Sequence, residues 1–234
     1  MKILAVILFP FTTVAGRMMI PPRPWNGGRE NSLETAQIQV EVFYESMCPD
    51  SKHFVETTLS SLLNDFSSYL SISMVPYGKG NTVQDGSKYK FTCQHGPDEC
   101  TGNLYHNCAV KYIQDQTLQI KFLSCMFSNI FNVDADWRNW AKNCDEGLGL
   151  GAFPSIYNCA VDLEGKQLMS ESGVRTGKRQ FIPTVVLSTG GGRESAKIVL
   201  DTRSKVEKLR DQVCTLYLKL YGLVLPSCQS QHFA

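Results

Sequence analysis

The side chains of this sequence that can do covalent chemistry are its nine cysteines, at positions 48, 93, 100, 108, 125, 144, 159, 214 and 228. Cys48 stands apart by its context. Ile38, Val40, Val42 and Tyr44 alternate ahead of it, while Phe54, Val55, Leu59, Leu62, Leu63 and Phe66 recur behind it at helical spacing. The period changes at Cys48-Pro49-Asp50-Ser51, which predicts a strand-to-helix turn with Pro49 in the first helical turn. A thiol at such a turn faces free backbone N–H groups and the positive end of the helix dipole, both of which favour the thiolate. The thiolate is the nucleophile of thiol–disulfide exchange, so the expectation is a reactive Cys48 with a depressed pKa. The position three residues on is Ser51, not a second cysteine.

The other eight cysteines can pair in an oxidising compartment, leaving Cys48 as the odd one out. Eight cysteines allow 105 connectivities, and the sequence selects none of them. Cys93, Cys100 and Cys108 lie near His95, Glu99 and His106, a set that raises the question of zinc. Their spacing is longer than the short loops of zinc modules, so disulfides are expected and no metal. His53 reads as an exposed helix histidine.

Residues 1–15 have the form of a secretory signal: Lys2, an apolar run from Ile3 to Phe11, and small residues ending at Ala15. The run is too short to span a bilayer, and no later segment is long enough. Without Lys2 the basic and acidic side chains balance at 22 each, with no basic stripe, which argues against nucleic acid as a partner. In an acidic compartment the four histidines and some carboxylates would protonate and turn the chain cationic. The sequence has no Asn-x-Ser/Thr sequon and no Lys-Asp-Glu-Leu-type ending. The expected location is the secreted space or the endosomal and lysosomal lumen.

Residues 16–36, rich in proline and glycine, read as a flexible leader. A second strand is expected over Leu70–Val75, making a βαβ unit with the first. Residues 78–90 read as loop, and the stretch from about 78 to 165 as a disulfide-bearing, mostly helical insertion whose aromatic residues form core. Gly173 and Gly177 read as a turn. Phe181-Ile182-Pro183-Thr184-Val185-Val186-Leu187 then opens on a proline, which a strand tolerates at its start or edge. With Gly190-Gly191-Gly192 and Ala196–Leu200 it makes a hairpin, not a phosphate loop. A helix striped by Val206, Leu209, Val213, Leu216, Tyr217 and Leu220 closes one domain, 37–228, with a tail at 229–234.

The order β-α-β, β-hairpin, α resembles the α/β thioredoxin-like fold, and the helical insertion resembles the DsbA-like arrangement. The resemblance implies that Pro183 is a cis proline facing the reactive cysteine, with Ile182 beside it, so that the backbone there binds substrate peptide. One family is closer. Cys93-Gln94-His95-Gly96, Glu99-Cys100, Asn103 and Cys108 match all eight fixed positions of the signature of the gamma-interferon-inducible lysosomal thiol reductases. That resemblance implies a soluble reductase of protein disulfides, active at acidic pH, and gives His95 and Glu99 a place in a tightly turned loop.

Family members that reduce disulfides well carry Cys-x-x-Cys, whereas this chain has Cys48 and Ser51. Attack by Cys48 survives the change, and internal release of the substrate does not. An external thiol such as cysteine or glutathione then takes the second step, or another cysteine of the substrate does, which is isomerisation. Ser51 can still donate a hydrogen bond to the thiolate. The partners are disulfide-containing proteins and small thiols, and no bound cofactor is implied. The alternative function is a secreted thioredoxin-like binding protein without turnover.

Overall fold

The computed structural model describes residues 37–130, 135–189, 198–201 and 206–231. The signal and leader readings at 1–36, the glycines at 190–192, Ala196 and Lys197, and the last three residues lie outside them.

Strand β1 (Ile38–Tyr44) is the middle of the fold. Its alternating residues Ile38, Val40, Val42 and Tyr44 are all buried on one face, as their period requires. Near its end the opposite face is buried too, where Phe43 packs with Val75 and Val186. The main chain then turns into α1 (Pro49–His53), the π-helical stretch Phe54–Leu59 and α2 (Ser60–Phe66), a continuous run of helix. Phe54, Val55, Leu59, Leu62, Leu63 and Phe66 are its buried stripe.

After a short 3₁₀ turn, β2 (Leu70–Pro76) returns parallel to β1, with Ile38 opposite Leu70. β5 (Thr184–Thr189) pairs antiparallel with the other edge of β1, and β6 (Ile198–Asp201) pairs antiparallel with β5. The sheet order is therefore β2-β1-β5-β6. Helix α8 (Val206–Tyr221) follows, with Leu209, Val213, Leu216 and Tyr217 buried. Its Cys214 is tied to Cys228 in the closing 3₁₀ segment Pro226–Gln231.

In chain order, the described residues between β4 and β5 form five helices: α3 (Pro97–Tyr112), α4 (Gln116–Phe127), α5 (Trp137–Leu148), α6 (Phe153–Val161) and α7 (Leu163–Thr176). Their aromatic residues are core, as expected: Phe122, Phe127, Trp137 and Trp140 are buried together. Disulfides Cys108–Cys159 and Cys125–Cys144 tie α3 to α6 and α4 to α5.

Two readings of this region are corrected. Residues 78–90, read as loop, contain most of an antiparallel hairpin of β3 (Asn81–Asp85) and β4 (Lys88–Thr92). β3 is polar apart from Val83, which is exposed, and the alternation of β4, with Tyr89 and Phe91 on one face between lysines, spans only five residues. The helical insertion also runs on to Thr176, past the expected end near 165. Gly173 is inside α7, not in a turn, and a Cβ there would stand 2.7 Å from the ring of Tyr77, which is a packing reason for glycine at this position.

Candidate active site

The turn between β1 and α1 presents Cys48 as the helix N-cap. Its backbone is extended (φ −77°, ψ 122°), and its carbonyl accepts the Lys52 N–H at 3.0 Å to begin the helix. Pro49 occupies the first turn, where its missing N–H costs no hydrogen bond. The turn is closed by the Cys48 N–H, which donates to the Glu45 carbonyl at 3.3 Å. Eight of the nine cysteines form disulfides: Cys93–Cys100, Cys108–Cys159, Cys125–Cys144 and Cys214–Cys228. Cys48 alone is free.

Ser51 is wholly buried one turn into the helix. Its Oγ accepts the Glu45 N–H at 3.3 Å, which leaves the hydroxyl proton for the Cys48 sulfur. The helix is held from its far side by Lys52, whose Nζ donates to the Phe127 carbonyl at 3.0 Å and pairs with Glu56.

Cys48 is only 7% exposed, and this burial pushes its thiol above the ordinary value. The Ser51 hydroxyl and the Ser51 backbone N–H pull it back. The Glu45 carboxylate pushes it up again, and the Asp50 N–H pulls it down. The net direction is upward. The expectation of a depressed pKa is therefore corrected: the helix terminus acts in the expected sense, but the sequence does not show how deeply the sulfur is buried.

The segment from Cys93 to Cys108 forms the wall behind this turn. Ser46 donates its N–H to Asn103 Oδ1 at 3.0 Å and its hydroxyl to the Glu99 carbonyl at 3.1 Å. One helical turn on, Asn107 Nδ2 donates to the Pro76 carbonyl at 2.9 Å and fixes the end of β2. His95 and Glu99, expected only to shape a loop, also meet Glu45. His95 Nδ1 lies 2.5 Å from Glu99 Oε2 and 3.4 Å from Glu45 Oε2. Burial pushes the Glu45 carboxyl up and the Lys79 N–H pulls it down; Glu99 then raises it and His95 lowers it. Sequence reasoning had no signal for Ser46, whose partners are more than fifty positions away, or for Glu45, which meets Lys79 and His95 only in the folded chain.

His106 is buried elsewhere, against Tyr44 Oη at 3.2 Å, and burial lowers its pKa to about 3. His53 is exposed, as expected.

The Ile182–Pro183 peptide bond is cis, and Pro183 is buried. Phe43 of β1 pairs with Thr184, so Pro183, one residue earlier, falls at the end of the sheet where β1 leads into the Cys48 turn. Ile182 packs against Phe43, Val75 and Val186. The nucleophile and the proline thus share one end of the sheet.

Residues 39–148, which span both Cys48 and the Cys93–Cys108 segment, match the family described as gamma interferon inducible lysosomal thiol reductase (GILT). A gamma-interferon-inducible lysosomal thiol reductase-like protein of Anopheles gambiae is 31% identical over 163 residues, covering 64% of this chain and 67% of the relative. The chain belongs to the GILT family. A second relative, the gamma-interferon-inducible lysosomal thiol reductase of Carassius auratus, is 28% identical over 188 residues, covering 72% of this chain and 70% of its own.

Among solved structures, Chlamydia trachomatis DsbA superposes with a TM-score of 0.55 at 12% identity, over 91% of this chain and 99% of its own. BdbD of Bacillus subtilis gives 0.56 at 12% identity, over 80% and 90%. These likenesses establish a thioredoxin-like fold with a DsbA-like helical insertion. Family and fold together make this GILT chain a thiol–disulfide oxidoreductase by class. Among the described residues, no helix is long and apolar enough to cross a membrane.

Proposed function

We propose that this GILT chain reduces disulfides of protein substrates through Cys48, with a small external thiol completing each cycle. The observation that carries this reading is the pairing state: Cys48 is the one free cysteine of nine, and it caps the helix that follows the central strand.

In the first step the Cys48 thiolate attacks one sulfur of the substrate disulfide. A Cys48–substrate disulfide forms, and the other substrate sulfur leaves as a thiolate that takes up a proton. The Ser51 hydroxyl and the N–H groups of the helix start stabilise the charge on Cys48 as the thiol ionises. A thiolate of cysteine or glutathione then attacks the Cys48 sulfur and expels the substrate's remaining sulfur, reduced. A second small thiol removes the first as a small-molecule disulfide and restores Cys48. Two thiols are oxidised for each substrate disulfide reduced, and no bound cofactor carries electrons.

The raised Cys48 thiol has a kinetic consequence for both steps. A smaller thiolate fraction slows attack, although each thiolate is intrinsically more nucleophilic. Cys48 is itself the leaving group when the second small thiol restores it, and a leaving group of higher pKa departs more slowly, so that reset is slowed as well. Peptide next to the sulfur pairs with backbone beside Ile182 and Pro183. The strand register supports this, since Pro183 stands one residue before the Phe43–Thr184 pair, at the Cys48 end of the sheet. The setting is the endosomal–lysosomal lumen or the secreted space, where unfolding of disulfide-bonded substrates in acid aids their proteolysis.

Turnover of a denatured disulfide protein in acidic buffer tests the reading. The rate is expected to rise with added cysteine and to vanish in Cys48→Ser. A chain that binds the denatured substrate but gives no thiol-dependent turnover would instead be a binding scaffold.

A further inference from the structure

Glu45, after β1, meets His95 and Glu99, four residues apart across the start of α3, and each turns one donor atom toward a common point. His95 Nδ1, Glu45 Oε2 and Glu99 Oε2 lie within hydrogen-bonding or ion-pair distance of one another at the imidazole, and the donor atoms all fall within 4.8 Å. Each carboxylate is aimed by its other oxygen. Glu45 Oε1 accepts the Lys79 N–H at 2.7 Å, and Glu99 Oε1 accepts the His95 N–H at 3.2 Å. Backbone donors of this kind fix the direction of a ligating carboxylate.

Glu45 Oε2 is the decisive atom. Its side chain is 1% exposed, and this oxygen has no hydrogen-bond partner among the described residues. A buried carboxylate oxygen without a partner is strongly unfavourable unless a cation meets it. The described ion pairs of Glu45 and Glu99 are both with His95, and none is with a lysine or arginine. The wall around the carboxylate is built close: at Gly78 (φ +64°) a Cβ would stand 1.9 Å from Glu45 Cγ and 2.2 Å from Oε1. The disulfide Cys93–Cys100 brackets the other two residues and holds their loop.

The geometry points to a divalent-cation site formed by Glu45 Oε2, His95 Nδ1 and Glu99 Oε2, of the zinc class, with a water as fourth ligand. One imidazole with two carboxylates is a borderline N/O donor set, which suits zinc better than calcium or magnesium. Donors about 2.1 Å from a tetrahedral ion stand about 3.4 Å apart. The His95–Glu45 separation already has this value. His95 is partly exposed and gives the ion its entry, while the two carboxylates lie behind it. On binding, the Nδ1 proton leaves to solvent, and the His95–Glu99 hydrogen bond is replaced by two bonds to the metal. The ion would brace Glu45, which opens the Cys48 turn, to the segment between β4 and α3 and to the first turn of α3.

This site uses none of the disulfide cysteines and does not depend on Cys48 being catalytic. Its test therefore uses the Cys48→Ser chain, which has no free thiol to bind metal, stripped with chelator and titrated with zinc against a chromogenic competitor. A single ion per chain is expected, bound at least about tenfold more weakly in Glu45→Gln and in His95→Gln. Affinity is expected to be unchanged in His53→Ala, and to fall on acidification because binding to such ligands releases protons. Because a carboxylate variant can misfold, cobalt(II) is also added to the wild-type chain. Its absorption is expected to show nitrogen and oxygen ligands, without a thiolate charge-transfer band. No zinc bound by Cys48→Ser, equal affinity in His95→Gln, or a thiolate band in the cobalt protein would each overturn the site; in the first case the cluster holds a shared proton instead.

Discussion

Ser46 donates its backbone N–H to the side-chain oxygen of Asn103 at 3.0 Å, across 57 positions of sequence. This bond joins the family signature to the nucleophile. Ser46 is two residues before Cys48, and its own hydroxyl reaches the Glu99 carbonyl in the same helix as Asn103. The signature helix therefore sets where the β1–α1 turn begins, and through it where the Cys48 sulfur lies.

Removing the acceptor tests that role. Asn103→Ala leaves the Ser46 N–H buried without a partner, at a cost of about 1–3 kcal/mol. Denaturant unfolding is expected to show that loss, and alkylation of Cys48 in the folded variant is expected to change in rate. An unchanged unfolding midpoint would mean that the bond does not anchor the turn.

Ser51 is expected to act on the sulfur in two separable ways. In Ser51→Ala the largest pull lowering the Cys48 thiol is gone. The pH midpoint of alkylation should move further up, and the rate at a fixed lower pH should fall. Ser51→Cys should instead supply an internal resolving thiol and shorten the life of the mixed disulfide in thiol-free buffer. An alkylation profile for Ser51→Ala that overlays the wild type would remove Ser51 from the site.

The buried histidine gives a pH dependence of known sign. His106 has its folded pKa lowered from 6.5 to about 3 by burial. The native imidazole thus stays neutral while the unfolded one takes up a proton as pH falls through 6.5. Its contribution to stability is complete above that value and is lost progressively on the way down to about 3. The slope within this window is at most about 1.4 kcal/mol per pH unit for one proton. His106→Gln, which keeps a polar partner for Tyr44 but cannot titrate, should flatten the dependence. Parallel wild-type and variant curves of unfolding free energy against pH would contradict this assignment.

Much of the site could be read from residue types alone. The change of period at Cys48 places it at a strand–helix turn, and the odd number of cysteines leaves it free; the cis bond at Pro183 is implied by the resemblance to the thioredoxin-like fold, not by residue type. What could not be read depended on tertiary contact. The pairing of Cys108 with Cys159 across 51 positions has no local signal, nor does the meeting of Glu45 with His95 and Glu99. The depth of Cys48 is likewise a property of packing, and it reverses the direction of the thiol shift inferred from the helix terminus. The β3–β4 hairpin is a different case. Its two-residue loop is Gly86-Ser87, a hairpin signal flanked by the alternating Tyr89 and Phe91 of β4, and both are legible in the sequence, so the loop reading of 78–90 missed them. Gly173 shows the reverse error, a glycine selected by the Tyr77 ring and mistaken for a turn.

The mixed disulfide itself is the most direct measurement. Wild-type protein is incubated with a disulfide-bonded peptide in acidic buffer, quenched with acid, and analysed by intact mass and peptide mapping. A covalent adduct is expected on Cys48 that persists in thiol-free buffer and disappears, with release of reduced peptide, when cysteine is added. No adduct on Cys48, or an adduct that resolves at the same rate without any added thiol, would contradict a single nucleophile reset from outside.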